Sequence, residues 1–188
     1  MVMYKGAYYG AIAGFIATWS ISTTIAVSEL EIGLPMTTCY SVIGIALGLN
    51  NFTLAAYAGF GLHILTGTLL RAIVGAFATR WKRVKIIIPQ QGMFIGIVAG
   101  VLIWLALFLP ITTLVIQPSI PHIVTLLVGV ETNHMVLSDD IYQSTRGIAI
   151  SAILFHIIWG AISGFAISSL LRIRAYRNKT WTSMLDEK

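Results

Sequence analysis

Gly6, Gly10 and Gly14, each four residues from the next, recur 86 residues further on as Gly92, Gly96 and Gly100. The same offset carries Pro35 onto Pro121, and each proline opens a short apolar run. Farther along, His63 and Gly67 reappear as His156 and Gly160, now 93 residues on, so the second copy has gained seven residues in between. Self-similarity of this kind constrains architecture before any single residue does. It implies two like units packed about a pseudo-symmetry axis. Glycines four apart lie almost on one helical face. In lipid, where no hydrophobic force holds helices together, such faces let two backbones approach closely. The spacing therefore predicts Gly6, Gly10, Gly14, Gly92, Gly96 and Gly100, with Gly160 and Gly164, as helix-packing positions. They would serve either contacts within the chain or a seam with another subunit.

The solvent is lipid. Four apolar stretches, Gly6–Val27, Leu54–Thr79, Ile86–Ile116 and Ile148–Leu171, each exceed the ~20 residues a helix needs to cross the hydrocarbon core. Only Arg71 is charged well inside any of them. Charged residues make up 10% of the chain, against about 25% in an ordinary soluble domain. An integral membrane protein is expected. The first stretch is too long for a signal-peptide core, and Glu29-Leu30-Glu31 is no small-residue cleavage site, so it reads as a mature helix.

Charge sets the number of crossings. Lys5 precedes the first stretch; Arg80, Lys82, Arg83 and Lys85 follow the second; Arg172, Arg174, Arg177 and Lys179 follow the fourth. The other two connections hold Glu29, Glu31, Glu131, Asp139 and Asp140, with Arg146 their one base. Basic residues stay on the cytoplasmic side, which puts both termini and the central basic loop on the cytoplasmic side of the cell membrane. A third crossing per repeat, through Leu34–Leu49, would place the Arg80–Lys85 cluster outside. Each repeat thus crosses twice, and the two are parallel. The formal charge of +5 is explained by this topology and calls for no nucleic acid.

Pro35–Leu49 and Pro121–Val130 begin with a residue suited to a first helical turn. As helices they would measure about 22 and 15 Å, too short to span. The expected fold is all-α: an integral membrane protein of four transmembrane helices from two parallel two-helix repeats, 1–80 and 86–175. Each repeat carries a short re-entrant or interfacial half-helix on the outer side. A polar cytoplasmic tail, 176–188, completes the chain.

Few residues could carry chemistry. His63 and His156 occupy equivalent places, and two imidazoles facing one another could hold haem axially or contribute to a copper site. The alternative is hydrogen bonding to backbone across a helix interface. Arg71 is a base within a span with no acid in any span to neutralise it, which is a functional signal by default. Contact with lipid phosphate or a partner subunit, or an anion pathway, would each suit it. His122, Glu131, His134, Asp139 and Asp140 are metal-ligand types whose spacing matches no defined site. Cys39, the single cysteine, reads as a small packing residue. Neither a nucleophile–base pair nor a phosphate-binding glycine loop is present.

No catalytic residue or required cofactor is expected from this pattern. The function expected is a non-catalytic structural or accessory membrane subunit of a larger membrane enzyme complex, of respiratory-oxidase or membrane-monooxygenase type. Its partners would be the bilayer and other integral membrane subunits. A small-solute transporter or channel is the first alternative. A haem- or copper-binding electron carrier using His63 and His156 is the second.

Overall fold

The computed structural model describes residues 2–31, 36–80, 88–119, 121, 152–174 and 176. The chain is helical, with no strand among the described residues. Its elements are α1 (Val2–Glu31), α2 (Thr38–Ala46), α3 (Phe52–Arg80), α4 (Pro89–Ser119) and α5 (Ala152–Arg174). Four of them, all but α2, are long and apolar enough to cross a membrane. The chain is a multi-pass helical membrane protein, as its apolar stretches require. The expected half-helix after Pro121, the acidic loop and the polar tail lie outside the described residues.

Contacts divide the chain into two compact units. The first gathers residues 1–18, 66–100 and 157–188; the second gathers 19–65 and 101–156.

In the first unit, helices meet backbone to backbone. Gly6 faces the Gly75 carbonyl, Gly10 the Arg71 carbonyl and Gly14 the Gly67 carbonyl, so that α1 lies directly on α3. Gly96 and Gly160 face each other's carbonyls, and Gly164 faces that of Gly92, so that α4 lies directly on α5. A side chain at any of these positions would overlap the opposing main chain. Close approach of this kind gains dispersion energy and weak Cα–H···O contacts that larger residues forbid. Ala13 and Ile167 form the apolar centre, with Tyr9, Ala78, Ile95, Ala166 and Leu171 around them, so all four long helices contribute.

The second unit contains the α2–α3 hairpin. Helix α2 closes with a Schellman motif: Gly48, at φ 94°, donates to the Ile45 carbonyl, and Leu49 reaches back to that of Gly44. Asn51 then starts α3, its Oδ1 accepting the Leu54 N–H at 2.9 Å. Gly44 rests on the Ala55 backbone and Gly59 on that of Tyr40. Ile45 and Ala55 are the buried centre, flanked by Val42 and Leu49.

Pro110 falls inside α4 without ending it. Proline lacks an N–H and its ring crowds the carbonyl four residues back. The chain answers by widening: π-helical turns at Trp104–Phe108 and Thr112–Ile116 bracket the short α segment Leu109–Ile111.

Substitution separates tight glycines from open ones. Gly96→Val should destabilise the protein by about 1–3 kcal/mol or more, because the new atoms meet main chain that cannot retreat. Gly61→Ala, on a face with nothing within 4 Å, should be neutral or stabilising by up to about 1 kcal/mol. Thermal melts in detergent, read as loss of the monodisperse fraction, test both.

Candidate functional site

Three polar constellations stand out from the apolar packing. The first centres on Arg71. This residue lies one helical turn from both Gly67 and Gly75 on α3, and its Cβ sits against Gly14 of α1. The side chain is only 2% exposed, which places it inside the first unit and not on its surface. Its Nε and Nη1 have no hydrogen-bond partner among the described residues. Nearby on α1, Thr18 donates to the Gly14 carbonyl at 2.7 Å and accepts the Trp159 indole N–H at 2.9 Å. Ser163 and Ser168 of α5 are wholly buried, and each donates to a carbonyl of its own helix, Gly160 and Gly164 respectively. Arg174 donates to the Tyr9 hydroxyl at 2.8 Å.

The second constellation holds the two equivalent histidines, both in the second unit. His156 Nδ1 is 2.9 Å from the Ala152 carbonyl, so it carries the proton, and Nε2 is left as the nitrogen able to accept a proton or a metal. His63 Nε2 is buried with no partner among the described residues. Aromatic rings crowd both: Phe108 stands 4.9 Å from His156, and Tyr40 stands 5.5 Å from His63. Phe60 continues the cluster from Tyr40 to Trp19. Two nitrogens can supply two ligands. Among the described residues no group of three His, Cys, Asp or Glu side chains converges to complete a metal shell. His122, Glu131, His134, Asp139 and Asp140 lie outside the described residues.

The third constellation was invisible in the sequence. Glu29, in the last turn of α1 and 6% exposed, accepts the Thr37 N–H at 2.7 Å on one oxygen and the Cys39 N–H at 2.5 Å on the other. A carboxylate from one helix thus caps the N-terminus of another, where free N–H groups and the helix dipole both favour negative charge. Thr37 needs that anchor, because its φ of 101° is a left-handed conformation unfavourable to a β-branched residue. Glu29 reads in sequence as a loop acid; the only signal was an acid just before a proline-led apolar run.

With this geometry in view, comparison with known proteins adds nothing: no family model, curated protein or solved structure matches the chain.

Burial, with the Glu29 carboxylate beside it, pushes the Cys39 thiol up to about 12. The thiolate is the reactive form, so maleimide at pH 8 should label Cys39 many times more slowly than a free thiol, and faster as pH rises. Glu29→Gln removes the negative charge and weakens the cap, and labelling should accelerate. Rapid labelling of the native chain at pH 8 would contradict the geometry.

Proposed function

We propose that the chain is a non-catalytic accessory subunit of a larger membrane enzyme complex. The observation that carries this reading is a hydroxyl-bearing face left outward on α1. Ser20, Thr23 and Thr24 are exposed, and Thr23 and Thr24 donate to the carbonyls of Trp19 and Ser20. Lipid tails do not reward such a face, whereas a second helix packs well against small hydroxyl residues. The glycines of α1, by contrast, are already occupied by α3, so a partner must use the remaining face.

The proposed membrane arrangement is two parallel repeats with both termini cytoplasmic, and α2 lying as a re-entrant or interfacial half-helix outside. It is supported by matched pairing: α1 uses its glycine steps on α3, and α4 uses the corresponding steps on α5. The basic residues Lys5, Arg80, Arg172 and Arg174 all belong to one unit, and Glu29 and Glu31 to the other.

A second reading, an electron carrier, draws on the equivalent places of His63 and His156 in the two copies and on their membership of one unit. Bis-histidine haem would give a Soret band in the purified protein that disappears in both His63→Ala and His156→Ala. A spectrum without that band removes haem.

Gentle-detergent extraction followed by size analysis tests the subunit reading. An assembly far above 20.5 kDa, with other membrane proteins co-purifying, is expected. Ser20→Leu with Thr24→Leu should loosen it while leaving the chain folded. Isolation as a monomer or simple homodimer would sink the proposal.

A further inference from the structure

We infer that Arg71 holds a small monovalent anion, of chloride to formate size, within the first unit. The inference is independent of whether the chain serves as a subunit. A guanidinium keeps its proton under all ordinary conditions, so burial cannot be relieved by neutralising it. A buried charge without a counter-charge is among the most unfavourable arrangements a protein can contain. Arg71 is 2% exposed, and its Nε and Nη1 are unpartnered among the described residues.

The surrounding charge sharpens the requirement. Of the described residues in this unit, Lys5, Arg71, Arg80, Arg172 and Arg174 are charged, and all are basic. The sequence of the unit holds two acids in all, Asp186 and Glu187, at the very end of the chain. Glu29, the one buried acid among the described residues, belongs to the other unit and has both oxygens engaged with Thr37 and Cys39. An anion from solution supplies the compensation that the described residues do not, and a basic surround raises its local concentration.

A ligand here must be small. Gly10 and Gly14 bring the α1 backbone onto α3 at Arg71, which leaves no space for a bulky ligand. The burial of Nε and Nη1 keeps these two nitrogens from a lipid headgroup or a partner's side chain. Helix register puts a candidate second donor at the same level. Ile167 of α5 meets Gly75 of α3, and α3 and α5 both precede these points by one turn at Arg71 and Ser163. Ser163 is fully buried at that level, and its hydroxyl, now on the Gly160 carbonyl at 3.2 Å, can turn to an anion instead.

The experiment is a chloride titration of the purified full-length protein in detergent, exchanged against gluconate at constant ionic strength, reading the thermal midpoint. The wild type should show a saturable rise. Arg71→Gln should weaken the chloride affinity by about tenfold or more, the usual effect of losing a charged hydrogen-bond donor. Ser163→Ala, a small change expected to fold whatever the fate of Arg71→Gln, should weaken it severalfold. Asp186→Asn with Glu187→Gln should leave it unchanged. The proposal is overturned by a wild type with no saturable response, by an equal response in Arg71→Gln or Ser163→Ala, or by chloride affinity that arises only when Asp186 and Glu187 are neutralised.

Discussion

The closeness of main chain to main chain governs this protein. Where Gly96 and Gly160 meet, or Gly10 and Arg71, the contact is made by Cα atoms and carbonyl oxygens with no side chain between. In water such contacts would be secondary to the burial of large apolar residues. In lipid the apolar side chains gain little by turning inward, so dispersion between tightly fitted backbones takes over the work of cohesion. The residue types follow. Glycine, alanine, serine and threonine take many of the buried positions, beside Ile21, Tyr40, Ile45, Trp159 and Ile167, and large apolar residues such as Phe77, Phe94 and Leu114 face outward. The pattern is that of a soluble protein turned inside out, and it explains how an arginine comes to be the largest fully buried side chain.

Several of these features could be read directly from the residues. The long helices were legible because crossing a bilayer demands only length and apolarity. Their ends were less so: α1 runs through Glu29 and Glu31, and α4 continues to Ser119. Acids at the end of α1 suggest a loop, yet they sit in a final helical turn where Glu29 has a structural task. Arg71 shows the limit of periodicity. Its position within a span was plain, and Gly67 and Gly75 on either side hinted at a packed face, but only the seating of Gly14 against its Cβ tells that the side chain is enclosed. The left-handed Thr37 and the trans-acting cap had no local signature, since both arise from the chain returning on itself. Pro110 was visible as a residue, but whether a helix breaks or widens around it depends on what packs nearby; α2 touches the π-turn that follows it.

The two histidines and Arg71 illustrate different consequences of burying polarity. An imidazole can give up its charge and satisfy a carbonyl, as His156 does with Ala152. A guanidinium has no such option. The same degree of enclosure therefore leaves a histidine pair chemically adaptable and makes an arginine an obligate partner-seeker. This difference, more than any motif, separates residues that fit a quiet structural role from the one that requires a ligand.

Helix length carries a last implication. The 30 residues of α1 measure about 45 Å, half as long again as a hydrocarbon core of about 30 Å. Such a helix must lean, or leave part of itself standing in the headgroups. Its last turn carries Glu29, and Glu29 holds the first turn of α2. One carboxylate thus ties the last turn of a long helix to the first turn of a short one.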